Sequence, residues 1–121
     1  MLFIDEDHKM RFNEARDSVR CDDSRWLATA YLITSEERLY GALEPHMDDC
    51  FIDFSRAQFE SRTPDENAIY NAAVDLWYGE DSISVLDLVD EEEIPDKAFT
   101  VIVHAVLFLR SANRKNNKRM R

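Results

Sequence analysis

Acid is missing from the end of this chain. No Asp or Glu follows Asp96, while Arg110, Arg114, Lys115, Lys118, Arg119 and Arg121 crowd the last twelve positions. Glycine and proline are also scarce, at two and three in 121 residues. A many-stranded sheet needs frequent turn residues, so their scarcity points to long helices. The two glycines, Gly41 and Gly79, cannot build a phosphate-cradling loop, and no Gly-x-Ser-x-Gly nucleophile elbow occurs. Neither His-x-x-x-His nor Cys-x-x-Cys is present, so zinc has no local scaffold. Cys21 and Cys50 could form one disulfide on counting grounds, but the N-terminus turns acidic at Asp5 and has no leader character, which argues against it. The longest strongly apolar run, Phe99 to Leu109, falls short of the roughly 20 residues of a membrane span. These features together lead us to expect a cytoplasmic protein that is not an enzyme and needs no cofactor.

What is present suits one small domain. Hydrophobic residues make up 45% of the chain, enough for one core. The acids are gathered in the body. Up to Leu109 the chain holds nine basic and 25 acidic residues, a net of −16, against +6 in the tail. We divide it into a helical domain over 1–112 and a basic tail over 113–121 that is disordered or extends the last helix.

The first helix is expected from Asp5, its stripe made by Ile4, His8, Phe12, Ala15 and Val19. A polar break at Cys21-Asp22-Asp23-Ser24 precedes a short buried helix around Trp26 to Ile33. Ser35 is placed to cap a third helix carrying Leu39, Tyr40 and Leu43, which Pro45 ends. Periodicity leaves 46–62 open between helix and extended chain. Thr63-Pro64-Asp65-Glu66 reads as a capping box with Pro at the first helical position, and Gly79 as that helix's stop. One or two turns over 82–89 should bring Val85, Leu86 and Val89 inward. Pro95 opens the last helix, with Phe99, Ile102, Val103 and Val106 as its main stripe. That helix is apolar on nearly every face, which suggests the centre of the molecule. The fold expected is all-α: a compact single-domain bundle of about five to six helices with the C-terminal helix central.

His8 and His104 sit on apolar stripes and read as core residues, and His46 as a loop residue. His46-Met47-Asp48-Asp49 is the one local cluster of metal-ligand types, and the bland reading is favoured for it. Asp90-Glu91-Glu92-Glu93 lacks the alternation and central glycine of a calcium loop. Trp26, Tyr31, Tyr40, Tyr70, Trp77 and Tyr78 read as packing, with Trp77 or Tyr78 partly exposed, because the surrounding charge is wrong for stacking nucleobases.

Phe3-x-x-x-x-His8-x-x-Arg11-Phe12, with Ala30-Tyr31-Leu32, Leu39-Tyr40, Ala73-x-x-Leu76-x-Tyr78 and Val85-Leu86-Asp87, resembles a family of small uncharacterised helical proteins from phages and integrative elements of Gram-positive bacteria. The resemblance covers roughly positions 3 to 109; the tail and Phe51 to Phe59 depart from it. It transfers no catalytic residues and implies a mobile-element origin. By extension the chain resembles small acidic inhibitors of host defence nucleases, including anti-CRISPR proteins. The function expected is therefore binding and inhibition of a basic host protein or ribonucleoprotein, by nucleic-acid mimicry in its sharpest form. The partner-binding candidates are Asp48, Asp49, Asp53, Glu80, Asp81, Asp90, Glu91, Glu92 and Glu93. Direct nucleic-acid binding is assigned only to the tail, and a membrane is no partner. The alternative reading is a helical adaptor or regulator able to form a homodimer.

Overall fold

The computed structural model describes residues 2–119, with side chains as far as Lys115; Arg121 and the side chains of Lys118 and Arg119 lie outside the described residues. In chain order it contains α1 (Glu6–Val19), α2 (Ser24–Thr34), α3 (Glu37–Leu43), a 3-10 turn (Glu44–His46), β1 (Met47–Asp48), β2 (Phe51–Ile52), α4 (Pro64–Tyr78), α5 (Val85–Leu88) and α6 (Asp96–Arg119). The bundle is all-α apart from the two short strands, and among the described residues no helix is long and apolar enough to cross a membrane.

The centre of the bundle is α2. Asp23 caps its first turn by accepting from the Trp26 N–H at 2.9 Å. Trp26, Ala28, Ala30, Leu32 and Ile33 are wholly excluded from solvent, and burying a large apolar side chain is worth about 1.5 to 3 kcal/mol. Such a helix end has four backbone carbonyls without helical partners, and here each finds a donor. The Tyr31 carbonyl accepts from His8 Nε2 at 2.9 Å and the Thr34 carbonyl from Arg11 Nε at 2.7 Å, both from α1. The Leu32 carbonyl takes the Ser35 hydroxyl at 2.6 Å, and that of Ile33 takes the Glu36 N–H. Ser35 thus closes α2 instead of opening α3, whose N-cap is Glu36 with no side-chain bond. The Glu36 carboxylate instead meets Lys97 Nζ of α6 at 2.8 Å.

The open stretch after Pro45 contains a tight hairpin. Met47 pairs with Ile52 and Asp48 with Phe51, leaving Asp49-Cys50 as a two-residue turn. Both turn residues have positive φ, 46° and 58°, as a type I′ turn requires. The Cys21–Cys50 pair, not favoured by the sequence reading, is a disulfide. The fold brings these residues to a Cα separation of 5.2 Å, within the range a disulfide needs. It ties the α1–α2 connection to the hairpin.

Thr63 caps α4 by accepting from the Glu66 N–H at 3.1 Å. The return half of the expected capping box is displaced by one residue: the Glu66 carboxylate accepts from the Arg62 N–H at 2.8 Å and pairs with Arg38. Gly79 ends α4 at φ 72°. In α6 the buried residues are Ala98, Val101, Ile102 and Ala105. The helix therefore lies on α2 and α4 by a face rotated from the expected stripe, with Phe99 and Val106 exposed, and α2 takes the central place expected for it. Small alanines let α6 approach closely, and the larger residues are left outside. The helix continues through Asn113 to Arg119 without a break.

Candidate functional site: an acid-flanked apolar helix

α4 and α6 run side by side in the same direction. At one end Asp65 Oδ1 accepts from the Ala98 N–H at 3.3 Å; at the other Leu76 shares a groove with Leu109 and Asn113. The segment 80–95 must return along that pair to start α6. Asp75 sets its course by accepting from Ser82 N–H at 3.0 Å, Ser82 Oγ at 2.6 Å and Ile83 N–H at 3.0 Å. Ser84 then caps α5: its hydroxyl accepts from the Asp87 N–H at 3.1 Å, and the Asp87 carboxylate accepts from the Ser84 N–H at 2.9 Å. With rotation fixed this way, Ile83 and Leu88 enter the groove that Leu32, Ala72, Leu76, Ile102 and Val106 also line.

A single helical turn can send few residues inward, and Ile83 and Leu88 take those places. Val85, Leu86 and Val89 consequently face solvent at 77%, 79% and 73% exposure, opposite to the inward placement expected. Three large aliphatic residues on one capped turn form an apolar knob of the kind that marks a contact surface.

Acids flank the knob on both sides. Glu80 and Asp81 precede it, and Asp90, Glu91, Glu92 and Glu93 follow it, all exposed. The first pair follows the end of α4, and the second set precedes the start of α6. Along a 15-residue helix these ends are about 22 Å apart, so six of the nine expected acids form two groups with α5 between them. No Lys or Arg occurs between Arg62 and Lys97, and this uninterrupted stretch of one sign is the signal in the sequence that marks the surface.

The other three acids lie on the hairpin. Asp48 and Asp49 are exposed beside Ser18, Glu44 and Pro45. Asp53 is occupied locally: it accepts from Ser55 Oγ at 2.5 Å and Ser55 N–H at 3.1 Å, with Arg56 at 3.4 Å. The Ser55 hydroxyl is the main reason its carboxyl is held below the usual range. Asp53 is thus less available to a partner than the sequence suggests.

The histidines are structural where they are buried. His8 Nδ1 accepts from the Ile4 N–H at 3.2 Å, so Nε2 carries the proton toward Tyr31. The Tyr31 hydroxyl donates to the Leu2 carbonyl at 2.5 Å and lies 3.3 Å from His104 Nδ1; burial pushes its pKa up to about 12. Among the described residues no three His, Cys, Asp or Glu side chains gather as a metal site. Compared with protein-family models, curated proteins and solved structures, the chain matches none.

Proposed function

We propose that this chain acts by binding, and that it inhibits a basic, nucleic-acid-handling partner of the anti-CRISPR-target kind by seating α5 on it. The observation that carries the reading is the exposed Val85, Leu86 and Val89 between two acidic groups. Apolar residues at the centre of a contact with charge at its rim are the common anatomy of a protein interface. The acids would steer the encounter with a positively charged channel, and the apolar knob would hold the complex. Mimicry of nucleic acid is then confined to the flanks, because phosphate rows are not interrupted by aliphatic side chains.

The test is affinity capture from a bacterial lysate, repeated with excess duplex DNA or RNA as competitor. Retained proteins should be basic nucleic-acid binders, released by salt and by the competitor. Retention of acidic proteins only, insensitive to both, would rule the reading out.

A further inference from the structure

The outward face of α6, turned away from the groove that Ile83 and Leu88 enter, carries apolar residues of its own. Phe99, Val103 and Leu107 follow one another at spacings of four residues, on one face of the helix, with Val106 at its edge beside the α5 groove. Phe99, Val106 and Leu107 are 41%, 47% and 56% exposed, and Val103 is half-buried. The charges at the ends of this row are opposite. Asp96 stands at its N-terminal end, after Ile94 and Pro95; Arg110, Arg114 and Lys115 stand at its C-terminal end, all exposed. Among the described residues none of these three cations forms an ion pair.

We infer that a second copy of this chain covers this face, with the two α6 helices antiparallel about a two-fold axis at Val103. That axis sets Val103 against itself and Phe99 against the second copy's Leu107. The same register sets Asp96 against the second copy's Arg110. A symmetric contact must be self-complementary, and one helix here holds both halves: an apolar middle, an acidic start and a basic end. A parallel pairing would oppose Asp96 to Asp96 and Arg110 to Arg110, and like charges directly opposed are unfavourable. The polarity of charge along α6 therefore selects both the partner and the orientation. It also gives the basic end of the chain a role without nucleic acid. The contact needs no third component, so it stands or falls apart from the proposed inhibition.

Sedimentation of the purified full chain across a concentration series tests this. A monomer–dimer equilibrium is expected, abolished by Leu107→Glu, which places a carboxylate against the second copy's Phe99. Asp96→Arg and Arg110→Asp should each weaken the dimer by about tenfold, since each leaves like charges opposed. The double variant should recover it, because the pair is restored in reverse. Helical circular dichroism and melting confirm that each variant is folded. A monomer at every concentration, a dimer indifferent to Leu107→Glu, or a double variant no better than the singles would each overturn the pairing; in those cases the face serves another occupant or none.

Discussion

At the scale of single residues, the buried charges and rings make predictions about pH. Burial is the largest influence on His8 and holds its pKa below the ordinary value, against the opposing pull of the Tyr31 carbonyl. The folded chain therefore binds fewer protons than the unfolded one below about pH 6.5, where a free imidazole titrates. Stability should be complete above that pH and fall as pH drops below it. Urea midpoints at pH 7.5 and 5.5 should show this slope, and His8→Gln, with nothing to titrate there, should flatten it. Glu66 behaves differently. Its burial raises its pKa, but the Arg62 N–H and Arg38 outweigh that and keep the carboxyl below its usual range. Its stabilisation is present at neutral pH and lost only in acid. Glu66→Ala removes hydrogen bonds to a charged group and should cost roughly 2 kcal/mol, measured by chemical denaturation at pH 7.

At the scale of elements, the hairpin and its disulfide hold the connection between α3 and α4. Closing a loop with 29 residues of separation stabilises by about 3 to 4 kcal/mol on the chain-entropy model. Reduction should therefore lower the melting temperature by more than about 10 °C, read by calorimetry with and without a thiol reductant. Cys50 occupies a left-handed position at φ 58°, so Cys50→Gly should be about 1 kcal/mol more stable than Cys50→Ala. Much of this was legible beforehand. Asp5 and Thr63 cap where their sequence positions suggest, because a cap is a local bond between neighbours. The hairpin was not legible, since Asp49-Cys50 lacks the glycine that usually marks a type I′ turn; the disulfide that joins it to Cys21 comes from tertiary proximity. The α6 stripe went wrong for another reason. A helix apolar all round has no periodicity to reveal its inner face, and the alanines that let α6 approach α2 are the weakest hydrophobic signal.

At the scale of the whole molecule, the acids that the sequence gathers in the body are placed around one short helix. The acids of 80–93 stand on either side of α5; Asp90 to Glu93 lie at the start of α6, while Glu80 and Asp81 share the neighbours Leu76 and Val106 with Arg110 and Arg114. Of the nine acids the sequence proposes, six flank one apolar knob, two lie on the hairpin tip, and Asp53 is tied to Ser55. The residues that complete the surface, Val85, Leu86 and Val89, were read as core, because aliphatic residues in a short segment are usually buried and only the Asp75 and Ser84 bonds turn them outward. The central claim is that this knob contacts the partner. Replacing all three with serine exposes no new core and should change stability little. The decisive measurement is the affinity of the V85S/L86S/V89S variant for a captured partner, beside that of the wild-type chain, with both shown to melt alike. A loss of tenfold or more, about 1.4 kcal/mol, is the result expected; equal affinity in two equally folded proteins would contradict the account.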